Sequence, residues 1–145
     1  MAAIKDILAQ KGTEVLTIGP SATAYDAALL MNEHKIGGLP VVEDGRVVGM
    51  FTERHILTRI VAERRDQAKT KVASVMTEMI ATAPIDITID DARRIMMTRR
   101  VRHLPIIDED RRLLGMISIG DLNAHMLQEE KKANHFLQEY LYGRA

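Results

Sequence analysis

Leu104-Pro105-Ile106-Ile107, followed eight residues later by Gly115-Met116-Ile117-Ser118-Ile119-Gly120-Asp121, is the stretch that decides the fold, because the chain has already said it once. The earlier version is Leu39-Pro40-Val41-Val42, then Gly49-Met50-Phe51-Thr52-Glu53-Arg54-His55. Outward from these segments the identities continue. Thr17, Thr23, Asp26, Ala27 and Met31 match Thr82, Thr88, Asp91, Ala92 and Met96, and with one inserted residue near Asp110, Arg46 matches Arg112. Chance seldom preserves both a Leu-Pro and a Gly-Met at matching spacing, so the chain reads as a duplication.

Each copy carries the same pattern. A short apolar strand (Val15–Ile18; Ile80–Ala83) leads to a turn at Pro20 or Pro84. A helix is predicted over Ala24–His34 and again over Ile89–Arg100. In the first, Ala27, Leu30, Met31 and His34 recur at three- and four-residue steps and mark one buried face. Strands follow at Leu39–Val42 and Val47–Phe51, and at Leu104–Ile107 and Leu113–Ile117, joined by charged or Gly-containing turns. Pro40 and Pro105 place their strands at an edge or before full pairing. A second helix starts at Thr52 or Ser118, and short helices at Ile4–Leu8 and Lys71–Met76 open the copies.

Glu63–Lys71 is charged and lacks apolar periodicity, so it reads as the connection. The expected boundaries are 1–64 for the first unit, 65–71 for the linker, 72–128 for the second unit and 129–145 for a C-terminal helix. Half of 145 residues buries little core alone. Two related halves packed through a pseudo-twofold solve that problem and leave clefts between them.

Composition narrows the function. The chain is 46% hydrophobic and 28% charged, as in ordinary globular proteins. Only 3% of residues are aromatic and nine are Met, so aliphatics and Met build the core. Twenty basic and twenty acidic side chains cancel, which disfavours long-range attraction to nucleic acid or anionic membranes. The absence of Cys excludes disulfides, a thiolate nucleophile and zinc–sulfur sites. The amino terminus lacks a signal-peptide core, and no apolar run approaches the roughly 20 residues that span a bilayer. A cytoplasmic location is expected.

A strand, then Gly-h-h-[Ser/Thr]-x-x-Asp, then a helix, set downstream of an h-Pro-h-h strand, resembles the cystathionine-β-synthase (CBS) domain. The duplication resembles its pairing in the Bateman module, as in stand-alone CBS-pair proteins. The resemblance implies an α+β fold of two β-α-β-β-α repeats related by pseudo-twofold symmetry, here with an extra C-terminal helix. It also implies a regulatory site for an adenosine-containing ligand: AMP, ADP, ATP, S-adenosylmethionine or an NAD-like dinucleotide. By resemblance Asp121 takes the ribose hydroxyls, Ser118 lies near phosphate, and Gly120 keeps the helix start uncrowded. Arg102 and His103 fall at phosphate-contacting positions, while Met116, Ile80 and Thr82 line the adenine pocket. An ionised carboxylate suits a vicinal diol, and amides at a helix N-terminus suit a phosphate.

The first copy departs from this pattern. His55 replaces the Asp, and Gly37-Gly38 replace Arg102-His103. A neutral imidazole cannot accept two hydroxyl hydrogen bonds. The Thr52, Arg54 and His55 site is therefore expected to be empty, weak or differently specific, with Arg54 left to reach the shared cleft.

Plainer explanations exist for the same residues. Ser118-x-x-Asp121 is also a capping box, as is the looser start at Thr52. The Arg99–Arg102 cluster also reads as a solvated helix end complementing the macrodipole. Asp121/His125 and His135/Glu139 have metal-pair spacing, but neither has a third ligand, and no metal site is expected. No nucleophile–base pair, phosphate loop or paired carboxylates argues for an enzyme. The leading expectation is a non-catalytic nucleotide sensor acting on an unknown effector protein. The alternative is an interaction scaffold with degenerate sites. Ala133, Phe136, Leu137, Tyr140 and Leu141 form an apolar stripe expected to pack on the body or on another subunit, and a homodimer is expected.

Overall fold

The computed structural model describes residues 3–78 and 80–142. Within them the elements are α1 (Ile4–Lys11), α2 (Ala24–His34), β1 (Gly38–Glu43), β2 (Arg46–Thr52), α3 (Glu53–His55), α4 (Val72–Val75), α5 (Ile89–Arg99), β3 (His103–Ile107), β4 (Leu113–Ser118) and α6 (Ile119–Tyr142). The end of the expected C-terminal helix, 143–145, lies outside the described residues.

The paired helices α2 and α5 begin and end by the same chemistry. Thr23 and Thr88 occupy the N-caps, each hydroxyl accepting the amide of the residue three on, Asp26 and Asp91, at 3.1 Å. Each helix stops at a left-handed residue, Lys35 (φ 53°) or Arg100 (φ 54°), which places Arg100 just beyond α5. The buried faces repeat: Ala24, Ala27 and Met31 in α2, Ile89, Ala92 and Met96 in α5. His34, assigned to that face from spacing, is exposed, and its Nδ1 lies 3.1 Å from the Leu30 carbonyl.

β1 pairs antiparallel with β2, and β3 with β4, with Pro40 opposite Met50 and Pro105 opposite Met116. The strand expected before each first helix shrinks to one residue. Ile18 bridges Val41, and Ala83 bridges Ile106, both in parallel. The proline explains this. Ile18 donates to Pro40 O at 3.1 Å and accepts from Val42 N at 2.9 Å. The next parallel rung would need an amide hydrogen from Pro40, which has none. Pro105 ends the second repeat's ladder beside Ala83 in the same way. The segment before Ile18 is thereby left out of the sheet.

The opening helices cross over. Ile4, Ile7 and Leu8 of α1 pack with Met96, Leu104, Ile106, Ile117 and Leu122 of the second repeat. Val72 and Val75 of α4 pack with Met31, Leu39, Val41, Phe51 and Ile60 of the first. Each repeat's core is therefore completed by a helix that precedes the other repeat's pattern. Two glycines allow the approach: a Cβ on Gly49 would lie 2.7 Å from Met76 Sδ, and one on Gly115 2.8 Å from Leu8 Cδ2. The hairpins also meet directly, with Val47 N donating to Arg111 O at 2.9 Å.

The two second helices differ. After Thr52, α3 passes into a π-helical turn over Ile56–Val61, where Thr58 Oγ1 donates to the Arg54 carbonyl at 2.9 Å and competes for the backbone ladder. In the second repeat α6 runs unbroken across the expected boundary at 128/129. Leu122 anchors its start at 1% exposure, while Phe136 and Tyr140 stand 70% and 78% exposed. The apolar stripe does not pack on the body. Among the described residues no helix is long and apolar enough to cross a membrane.

Candidate functional site

The chain between Lys11 and Leu16, freed from the sheet by Pro40, forms one wall of a cleft of about 320 Å³. Ile36, Gly37 and Gly38 form a second wall on the approach to β1, and His103, Met116 and Ser118 face them from the second hairpin. The cleft thus lies between the repeats. Val15, Leu16, Ile36 and Met116 supply apolar surface, and Glu14, Lys11 and His103 supply polar atoms.

Asp121, in the first turn of α6 with its side chain 22% exposed, does not line this cleft itself; it meets the cleft residue Lys11 and lines a neighbouring hollow with Gln10 and His125. Its Oδ2 accepts from Ser118 N at 2.8 Å, and its own amide donates to Ser118 Oγ at 3.1 Å, so the capping box is present. The same Oδ2 meets Lys11 Nζ at 2.6 Å, and Lys11 also donates to the Met116 carbonyl at 2.8 Å. Burial on its own would raise the Asp121 carboxyl. The hydrogen bond and charge of Lys11, with the Ser118 bonds, outweigh it and hold the carboxyl below the usual range. The site carboxylate is therefore ionised and already has a cation beside it.

His103 is half-buried beside Gly38, where a Cβ would come within 3.2 Å of its Cε1. Burial, reinforced by Lys11 and Arg102 and opposed by Glu53 and Asp121, keeps the ring's pKa low. At neutral pH it enters the cleft as a neutral donor and acceptor. Arg102 is exposed, its carbonyl accepting from Ile119 N at 3.0 Å at the start of α6. Gly120 is exposed, and a Cβ there would stand 3.5 Å from Ser118 Oγ.

The structure does not gather all the expected residues. His103, Met116 and Ser118 line one cleft, with Asp121 linked to it through Lys11. Ile80 lines a different cleft of about 500 Å³ with Val47, Val48, Glu78, Arg99 and Arg111. Thr82 is half-buried and is not among the residues lining the cleft of His103, Met116 and Ser118. The repeat supplies the reason: Val15 is the counterpart of Ile80, and the crossing of the halves brings the first copy's segment to the second copy's carboxylate. Sequence reasoning missed Lys11 and this wall, although the alignment of Val15 with Ile80 was available to suggest it.

The first repeat builds the same turn with an imidazole. Thr52 N donates to His55 Nδ1 at 3.1 Å, and His55 N donates to Thr52 Oγ1 at 3.3 Å. Because Nδ1 accepts, the ring proton sits on Nε2, which faces Thr77 Oγ1 at 3.1 Å. Burial, helped by Arg59, pushes the His55 pKa down to about 4. Both ring nitrogens are engaged within the protein, and Arg54 is exposed.

Among the described residues no three His, Cys, Asp or Glu side chains converge on a metal-sized position. His135 and Glu139 do meet, at 3.1 Å, on the exposed part of α6.

The family model of the CBS domain matches this chain twice, over residues 4–62 and 72–127. The protein belongs to the CBS domain family. Its two repeats form a CBS pair. Among curated relatives it resembles the CBS domain-containing protein YhcV of Bacillus subtilis, 35% identical over 130 residues, covering 90% of this chain and 89% of the relative. A solved CBS protein described as a putative signal-transduction protein from Burkholderia ambifaria superposes with a TM-score of 0.82. It is 32% identical, with 88% of this chain and 95% of that one covered. A CBS domain pair solved in complex with 5-methylthioadenosine and S-adenosyl-L-methionine superposes with a TM-score of 0.79 at 25% identity, covering 89% and 98%.

Proposed function

We propose that this CBS pair is a non-catalytic regulatory module that binds an adenosine-containing ligand, AMP, ADP, ATP, S-adenosylmethionine or an NAD-like dinucleotide, in the cleft lined by Lys11 and Ser118, with Asp121 reached beside them. The observation that carries the reading is that Lys11 and Ser118, which line an apolar-walled cleft, are both bonded to the ionised carboxylate of Asp121 just behind them. The carboxylate suits a ribose diol and the ammonium suits a phosphate, while the Ser118, Ile119 and Asp121 amides are already bonded within the protein. A volume of about 320 Å³ is at the small end for ligand pockets and fits one nucleoside-sized group. The solved pair that holds 5-methylthioadenosine and S-adenosyl-L-methionine supports the ligand class. Met116, His103, Ser118 and Gly120 are the further contact residues of this reading, with Arg102 at the rim and Ile80 and Thr82 outside it. The first-repeat site at Thr52, Arg54 and His55 holds no ligand in this account, because its imidazole is spent inside the fold.

Ligand binding would act by favouring one arrangement of the two repeats over another. The effector of this reading is a domain or protein outside the CBS pair. The test is thermal denaturation of nucleotide-stripped protein with AMP, ADP, ATP, NAD and S-adenosylmethionine, on wild type and Asp121→Ala, each measured against its own baseline. A ligand at a hundred times its Kd stabilises by about 2.7 kcal/mol, and the shift should vanish in the variant. No shift with any ligand would count against the sensor reading.

The exposed stripe of Phe136, Leu137, Tyr140 and Leu141 favours a second reading alongside it, that α6 is an interaction surface and the pair a scaffold. A cytoplasmic homodimer formed through α6 is the form we propose. Light scattering should give a dimer mass, reduced to a monomer in Phe136→Glu/Tyr140→Glu; a monomeric wild type contradicts it.

A further inference from the structure

Lys11 bears on which ligands the cleft accepts, an inference that rests on the adenosine reading above. Its Nζ is held by Asp121 Oδ2 at 2.6 Å and by the Met116 carbonyl at 2.8 Å. An ammonium has three N–H donors, so one remains for a third acceptor. Lys11 borders the cleft on one side and, on the other, a smaller hollow lined by Gln10, Asp121 and His125. The ammonium therefore stands at the cleft's end, beside the group that would receive the ribose.

The geometry sets two ligand groups in competition with the protein's own ion pair. Ser118 N and Lys11 both take Oδ2, which leaves Oδ1 without a protein partner among the described residues. A diol that takes both carboxylate oxygens must loosen Lys11 from Oδ2. For an uncharged nucleoside this takes the ammonium, its side chain 39% exposed, from its anion with no new anion in return, a mildly unfavourable exchange. A phosphate reverses the balance, because it offers the ammonium a new anionic acceptor as the ribose takes its old one. Glu14, in the same wall, adds negative charge and discourages phosphates beyond the first that would sit near it.

We propose that Lys11 is a specificity-determining residue of the second-repeat site, exchanging Asp121 for a ligand phosphate and so selecting phosphate-bearing adenosine ligands over unphosphorylated ones. Where Asp121 meets a cation, His55 in the first repeat meets the neutral Thr77, so the device belongs to one site alone.

The experiment is calorimetric titration of AMP and of adenosine into wild type and Lys11→Met, which keeps an apolar stem of similar length and removes the charge. The exchange of one charge-assisted hydrogen bond by a cation that is 39% exposed predicts that wild type prefers AMP by about tenfold, the low end for such bonds. In Lys11→Met the preference should collapse to within about threefold, by weaker AMP binding and tighter adenosine binding together. Lys11→Gln serves as the second variant if Lys11→Met does not fold. Equal changes in both ligands, as a merely structural role would give, overturn the proposal, as does a preference that survives the substitution. If AMP and adenosine bind neither protein, the adenosine reading itself fails and this inference with it.

Discussion

His55 in the first repeat and Asp121 in the second do the same structural work with different chemistry. Each accepts the backbone amide three residues before it, His55 Nδ1 from Thr52 N at 3.1 Å and Asp121 Oδ2 from Ser118 N at 2.8 Å. The carboxylate retains a second oxygen for a ligand, whereas the imidazole gives its remaining nitrogen to Thr77 Oγ1. One duplicated turn has thereby been kept as a site candidate in one copy and as a joint in the other.

The joint is pH-sensitive in a defined direction. His55 has its pKa pushed down to about 4 in the fold, against about 6.5 in an unfolded chain. Between those values the unfolded state binds a proton that the folded state refuses, so stability falls as pH drops from about 6.5 toward 4. His103, also lowered, acts in the same direction. His55→Asn keeps an acceptor for Thr52 N and removes the titration. Its denaturant midpoint should decline less than that of wild type over this window; parallel profiles would contradict the assignment.

The two repeat glycines should tolerate a methyl group unequally. At Gly49 a Cβ would meet the Thr77 carbonyl oxygen at 2.8 Å as well as Met76 Sδ, and backbone cannot swing aside. At Gly115 the three nearest atoms all belong to the flexible end of Leu8. Gly49→Ala should cost about 1–3 kcal/mol by overpacking. Gly115→Ala should cost less, the order being read from chemical denaturation.

Much of this was legible in the chain. Apolar spacing announced the helices after Thr23 and Thr88, and Leu-Pro with Gly-Met announced the hairpins, because both patterns are local, while the caps supplied by the two threonines were not read. The expected strands at Val15–Ile18 and Ile80–Ala83 were not borne out, since the missing amide hydrogen of a proline decides how far its neighbour can pair. Lys11 was invisible for a different reason. It sits 110 residues from Asp121, on a helix whose sequence position assigns it to the first copy and whose packing assigns it to the second.

That crossing makes its own prediction. Leu8 is 2% exposed in the second repeat's core, so Leu8→Ala should destabilise by about 2–5 kcal/mol. Hydrogen exchange should accelerate in β3 and β4 more than in β1 and β2, although Leu8 precedes the first repeat. Faster exchange confined to β1 and β2 would contradict the crossed packing.

The cleft lined by Lys11 and Ser118, beside Asp121, is the proposed ligand site, and the His55 turn is not. Calorimetric titration of nucleotide-stripped protein with AMP tests it most directly, on wild type, Asp121→Ala and His55→Asn. One site per chain is expected, weakened at least about tenfold by Asp121→Ala, as loss of a charge-assisted hydrogen bond would give. His55→Asn should leave it unchanged. Binding that survives Asp121→Ala and is lost in His55→Asn would contradict the account.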